Sequence, residues 1–179
     1  MDVKITRSND IWSFDPQVGG YDETLWKTIT GTPAIAGTIL RLTSAEIISY
    51  QVFKNLSVEF AVTVPTAPAT GDSKAWGLKN YSKGNKARAE FDITDAVFTA
   101  KVYDESGTVI ASKTITWDAT WTAAEARYRI SISERNVFFA VDDTIVARFE
   151  DVNVAKSPVS LHIVNADADN LDVGAVVAY

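Results

Sequence analysis

The stretch from Arg127 to Asp151, RYRISISERNVFFAVDDTIVARFED, decides the fold. It reads as three short strands joined by two tight turns. Tyr128, Ile130 and Ile132 alternate with Arg129, Ser131 and Ser133. Val137, Phe139 and Val141 share a face, while Ala140 and Asp142 point the other way. Ile145, Ala147 and Phe149 alternate with Val146, Arg148 and Glu150. A period of two sends one apolar set to a core and the other to solvent or a groove. Glu134-Arg135-Asn136 and Asp142-Asp143 are the turns, because Asn and Asp tolerate positive φ better than most residues with a Cβ. A meander with one apolar face needs a second sheet to cover it.

The rest of the chain supplies that sheet. Ser57 to Val64 alternates cleanly, with Val58, Phe60, Val62 and Val64 on one face, and Pro65 ends it. Gly37 to Leu42 and Ala45 to Tyr50 read as a strand pair. Lys74 to Asn80, Arg88 to Thr94, Val97 to Tyr103 and Val109 to Trp117 follow, and Val159 to Val164 and Val173 to Tyr179 close the chain. One helical signal appears at Thr122 to Ala126, where Thr122 and Glu125 fit a capping box. About a dozen short strands at even spacing predict an all-β sandwich of two antiparallel sheets with at most one short helix. The expected organisation is a single domain over residues 1–179, with 1–16 as an arm or edge strand.

Composition narrows the function. A net charge of −6 on 179 residues argues against nucleic-acid and anionic-membrane partners, which need clustered Lys and Arg. The start, Met1 to Arg7, has no apolar signal core, and no run could span a bilayer as a helix. The absence of cysteine removes disulfides, thiolate chemistry and Cys-ligated zinc.

From Ser57 onward the order of features resembles the concanavalin A-like lectin/glucanase jelly-roll superfamily. The matching pieces are Ser57-Val58-Glu59-Phe60, Trp76-Gly77-Leu78, Ala89-Glu90-Phe91-Asp92, Trp117 with Trp121, Tyr128-Arg129-Ile130, Val137 to Asp143, and Leu161 to Asn165. The segment Tyr128 to Asp143 is similar to that superfamily's hairpin ending in Val-Asp-Gly, with Asp143 where glycine is usual. The resemblance covers about two-thirds of the chain and implies the fold. Its members include glucanases, sugar-binding lectins and adhesive or capsid-type modules, so fold alone leaves function open.

Glu90-Phe91-Asp92-Ile93-Thr94-Asp95 is the candidate catalytic stretch. Laminarinase-type members of the superfamily carry Glu-x-Asp-x-x-Glu, and by that resemblance Glu90 would be the nucleophile, Asp92 a helper and Asp95 the acid/base. Asp95 is one methylene short, and retaining hydrolysis sets its two carboxyls about 5 Å apart across the scissile bond. A solvated strand face ending in a turn is the preferred reading. Trp76 and Tyr81, beside a basic loop, are the better candidates for stacking a sugar, with Arg88 and Glu90 as polar partners. Trp26 is a further candidate, and Trp117 and Trp121 are better explained by packing. Asn165, Asp167 and Asp169 offer oxygens at alternate positions, which suits calcium, although a solvated Asx-rich turn is preferred. His162 is the only histidine. It alternates with Leu161 and Ile163, which reads as a surface or rim position.

The leading expectation is a non-catalytic surface-presenting module, a structural or adhesive component of a virion or another extracellular assembly, made without a classical signal peptide. A cytoplasmic protein would have the same features. Its expected partners are further copies or other assembly proteins, and no cofactor is expected. The alternatives are a carbohydrate-binding lectin-like module and a laminarinase-type glycoside hydrolase.

Overall fold

The computed structural model describes residues 12–14, 25–50, 57–80, 86–133, 135–152 and 159–178. Its strands are β1 (Trp12–Phe14), β2 (Trp26–Thr30), β3 (Ala34–Ala36), β4 (Ile39–Leu42), β5 (Ala45–Ser49), β6 (Ser57–Thr63), β7 (Ser73–Asn80) and β8 (Lys86–Thr94). They continue as β9 (Val97–Tyr103), β10 (Val109–Thr114), β11 (Glu125–Ser133), β12 (Asn136–Val141), β13 (Thr144–Phe149), β14 (Ser160–Asn165) and β15 (Leu171–Ala178). Two antiparallel sheets result. One runs β13-β12-β11-β6-β15-β4-β3 with β1 also on β15, and the other runs β10-β9-β8-β7-β14-β5-β2.

The meander that decided the sequence reading forms one end of the eight-stranded sheet. β11 pairs β12 from Tyr128↔Val141 to Ser133↔Asn136, and Asp142 and Asp143 turn the chain at φ 46° and 65°. Two left-handed residues in a row match the right-handed twist of the flanking strands. Phe60, Phe91, Ile130, Phe139 and Val141 are all buried between the sheets, as their alternation predicted. The sheets meet through aromatic edges: Tyr128 lies 4.8 Å from Trp76, and Phe139 lies 5.1 Å from Phe91, centroid to centroid. Such contacts add to the area term that dominates burial of large rings.

Three expectations need correction. Ile145 does not share a face with Ala147: the β12–β13 pairing shifts between Phe139 and Ala140, so Phe139 faces Ala147 while Ala140 faces Ile145. The extra residue turns Ile145 outward, where it is 62% exposed. Ile39–Leu42 and Ala45–Ser49 do not pair with each other. β4 joins β15 and β3, whereas β5 joins β14 and β2, and Ser44 at φ 47° carries the chain from one sheet to the other.

The helical expectation at Thr122 to Ala126 also fails. A 3-10 turn occupies Ala119–Trp121, capped by the Asp118 side chain, and Glu125 opens β11. The ladder from Glu125↔Thr63 onward claims the residues that the capping pattern would have coiled. Thr122 instead accepts a hydrogen bond from Trp117 Nε1 at 2.9 Å. Of the expected arm or edge strand, Trp12–Phe14 pairs antiparallel with Val176 to Ala178 of the chain's own sheet, while residues 3–11 lie outside the described residues.

Candidate functional site

Strand β7 sits in the middle of the seven-stranded sheet, and Ala75, Trp76, Gly77 and Leu78 are buried without alternation. Trp76 and Leu78 face the core, so Ala75, Gly77 and Lys79 face outward. Register carries that parity across the sheet. Ile48, His162, Gly77, Glu90 and Lys101 form one outward row, and Glu46, Val164, Ala75, Asp92 and Thr99 form the next.

These rows hold charged groups that are far less exposed than strand faces usually leave them. Glu90 is 7% exposed and His162 1%. Each has a partner. Glu46 Oε1 accepts from Lys79 Nζ at 2.8 Å and lies 3.0 Å from His162 Nε2. Tyr103 Oη donates to Glu90 Oε1, and Lys101 Nζ donates to Asp92 at 2.5 Å. The face therefore carries ion pairs and hydrogen bonds in three clusters, Glu46 with Lys79 and His162, Glu90 with Tyr103, and Asp92 with Lys101, spread over five adjacent strands.

Burial and pairing set the protonation states. The His162 hydrogen bond, assisted by Lys79, outweighs burial and pulls the Glu46 carboxyl down to about 2. Burial pushes the His162 imidazole down to about 4, so it is neutral at neutral pH. Burial raises the Glu90 carboxyl, opposed by the Tyr103 hydrogen bond and reinforced by the Asp92 charge. Burial also raises the Tyr103 phenol, helped by Glu90, so Tyr103 remains a donor. Perturbed groups gathered on one face make that face the candidate functional site.

The outer face of the eight-stranded sheet differs. Its Arg127–Glu59 pair is 3.5 Å apart with Arg127 67% exposed, and Asp143, paired with Arg129, is 84% exposed. Exposed pairs of this kind contribute little.

The structure brings Glu90 and Asp92 to the face and leaves Asp95 off it. Asp95 at φ 48° and Ala96 at φ 67° form the β8–β9 hairpin turn, and Asp95 Oδ1 accepts from the Gly71 backbone N–H at 3.1 Å. The ladder runs regularly from Asp92↔Thr99 to Thr94↔Val97, so no bulge restores the facing that the laminarinase-type motif needs. Trp76, expected as a sugar-stacking surface, is a core residue at 0% exposure, stacked on Phe91 and Phe98. Trp26 is buried as well, and Trp117 and Trp121 pack on Phe98. Tyr81 lies outside the described residues, as does the side chain of Arg88.

Asp167 and Asp169 converge, with Asp72, on the ammonium of Lys74, whose side chain is fully buried. Asn165 turns its amide to the Leu42 and Asp169 carbonyls. The oxygens read as calcium ligands thus surround a lysine. His162, read as a surface or rim residue, is instead buried under the outer face. Sequence reasoning missed Glu46, Lys79, Lys101 and Tyr103 as its companions. Their outward parity is visible within each strand, but the side-by-side placement of those strands is not.

The chain matches no known family model and no curated protein. Solved structures do match. The carbohydrate recognition domain of Emp47p superposes with a TM-score of 0.69 at 11% identity, covering 93% of this chain and 94% of that one. Bacillus licheniformis β-glucanase gives 0.69 at 12%, covering 93% and 97%. Laminarinase from Flavobacterium sp. UMI-01 gives 0.71 at 13%, covering 94% and 98%. With the two-sheet topology above, these likenesses show that the chain has the concanavalin A-like lectin/glucanase jelly-roll fold.

Proposed function

We propose that this chain is a non-catalytic, lectin-like module that binds a glycan on the outer face of its seven-stranded sheet. The observation that carries the reading is the set of paired polar groups on that face, among which Glu90 and His162 are buried. Burying charge costs stability unless it is paired, and solvated surface residues would have cost nothing. Fixed donors and acceptors at set positions are what recognition of sugar hydroxyls requires. Similarity of fold to a carbohydrate recognition domain and to β-glucanases supports the ligand class.

Asp95 supports the non-catalytic half of the proposal. With that residue in the hairpin turn, Glu90 and Asp92 lack the third carboxyl of the glucanase pattern, and Lys101 neutralises Asp92. One feature favours the hydrolase reading: burial raises the Glu90 carboxyl, which stands beside Asp92 on the same face.

Calorimetric titration with neutral and acidic oligosaccharides tests binding, and a reducing-sugar assay tests turnover. The wild-type chain should bind at least one glycan, Lys101→Met should weaken that binding, and neither should release reducing ends. Absence of binding across the panel would sink the proposal. Turnover that Glu90→Gln abolishes would replace it with a glycosidase.

A further inference from the structure

We infer that Lys101, Asp92 and Tyr103, together with Val109 and Ile110, form a subsite for one sugar ring that carries both a free diol and a methyl group, the substituents of a 6-deoxyhexose. This deepens the glycan reading above and rests on it.

Register places these residues together. Lys101 and Tyr103 stand two apart on β9 and face outward with Glu90, which pairs with Lys101. Across the next ladder, Val109 stands opposite Tyr103 and Ser112 opposite Lys101. Directly opposite residues have Cβ atoms about 5 Å apart, and residues two apart on a strand are separated by about 7 Å. One sugar ring spans such a patch. The patch is also open to solvent. β10 is the last strand of its sheet, the Lys101 and Asp92 side chains are 25% and 15% exposed, and Tyr103 is half-buried.

The polar half has bonding capacity to spare. Lys101 Nζ donates to Asp92 Oδ1 at 2.5 Å, and Thr94 Oγ1 donates to the same oxygen at 3.1 Å. Among the described residues Asp92 Oδ2 meets no donor, and the ammonium keeps N–H groups that Asp92 does not use. Two neighbouring sugar hydroxyls fit this pair, one donating to Oδ2 and the other accepting from Nζ. Tyr103 gives its one hydrogen to Glu90, so toward a ligand its Oη only accepts.

The apolar half is aliphatic. Val109 is 45% exposed and Ile110 40%. The pairing shifts between Val109 and Ala111, which makes Ile110 the extra residue beside Val109. The other exposed large hydrophobics among the described residues, Ile35, Tyr50, Val97 and Ile145, stand singly, which is ordinary for a surface. Two aliphatic side chains beside a hydroxyl-binding pair offer burial to a methyl group and no partner to a hydroxymethyl group in its place.

Matched sugars isolate the methyl group. L-fucose and L-galactose differ only at C6, as do L-rhamnose and L-mannose. NMR titration of the full chain should show the 6-deoxy sugar binding about tenfold tighter in at least one pair. Its C6 methyl protons should give intermolecular NOEs to the Val109 and Ile110 methyls of the wild-type chain, a readout that needs no variant. Val109→Ser should bring the two members of that pair to equal affinity, and Asp92→Asn should weaken both members alike.

Three results overturn the subsite: equal affinity within both pairs, NOEs from the C6 methyl to other residues instead, or a methyl preference that survives Val109→Ser. If Val109→Ser melts below wild type, the NOEs decide alone. If oligosaccharides bind and Lys101→Met weakens them, but neither pair shows a methyl preference, the glycan reading stands and the subsite falls. If no sugar or oligosaccharide binds, both fall.

Discussion

Gly77 stands directly opposite Glu90 in the β7–β8 ladder, and a Cβ on Gly77 would come within 2.7 Å of the Glu90 Cβ and 2.3 Å of the Ala89 carbonyl oxygen. Those atoms are backbone or bonded to it, so they cannot swing aside. Glu90 itself is 7% exposed and accepts a hydrogen bond from Tyr103 Oη on β9.

Gly77→Ala should therefore destabilise the fold by about 1–3 kcal/mol, the usual range for overpacking a tight site. Urea unfolding followed by tryptophan fluorescence measures this. A variant as stable as wild type would show that the two strands have room to separate.

Lys74 presents the opposite case, a buried cation whose removal leaves carboxylates unpaired. Its ammonium lies 3.1 Å from Asp169 and 3.7 Å from Asp72, and contacts Asp167. Lys74→Met should cost about 3–5 kcal/mol, as for other broken buried pairs. Adding Asp169→Asn to that variant should recover part of the loss by removing one of three like charges. Denaturant titration of wild type, single and double variants checks both statements, and a double variant no better than the single would refute the repulsion account.

How much of this was legible in the sequence depends on how far each contact reaches along the chain. Phe139 and Ile130 alternate within their own strands, and Asp142-Asp143 is a local turn, so the meander could be read directly. Ile145 could not, because a one-residue bulge reverses parity without a local signature. Trp76 failed for another reason: β7 is buried on both faces, and a strand without a wet side shows no alternation. Thr122 and Glu125 looked like a helix start until the ladder with β6 overrode them. Within the site, Glu90 and Asp92 were visible as neighbours on one strand. The Glu46–His162 bond joins residues 116 positions apart, and no periodicity announces that.

The same pair predicts an acid-labile fold. His162 falls from 6.5 to about 4 on folding, so below pH 6.5 the unfolded chain takes up a proton that the folded chain refuses. Stability is therefore lost as pH falls from about 6.5 to 4. Glu46, held at about 2 against a usual 4.5, adds a second loss below pH 4.5. Glu90 acts in the other direction: its raised carboxyl costs stability as pH rises above 4.5. The His162 contribution alone is on the order of 3 kcal/mol. Urea midpoints at pH 7.5, 6 and 5 should fall in that order, and His162→Gln should flatten the decline between pH 6.5 and 5. An unchanged slope in that variant would move the pH sensitivity to another group.

The hairpin turns supply the last prediction, because their left-handed residues differ in what the side chains do. Asp142 Oδ1 accepts from the Arg127 backbone N–H at 2.9 Å, so the side chain satisfies a donor in the adjoining strand. Asp143, at φ 65°, makes only an exposed contact with Arg129. Ala96, at φ 67°, has no side-chain polar group to offset its strain. A left-handed residue with a Cβ costs about 1–2 kcal/mol, and glycine avoids that cost. Ala96→Gly should therefore stabilise the chain by up to about 1 kcal/mol once glycine's larger unfolded-state entropy is deducted. Asp143→Gly should be neutral or slightly stabilising, since the exposed ion pair it removes contributes little. Asp142→Gly should destabilise by about 1 kcal/mol, because the lost hydrogen bond to a carboxylate, about 1.5–3 kcal/mol, outweighs the relief of strain. Melting temperatures of the three variants should rank Ala96→Gly above Asp143→Gly and both above Asp142→Gly. If Asp142→Gly proved as stable as Asp143→Gly, the Arg127 contact would contribute nothing and backbone strain alone would govern both turns.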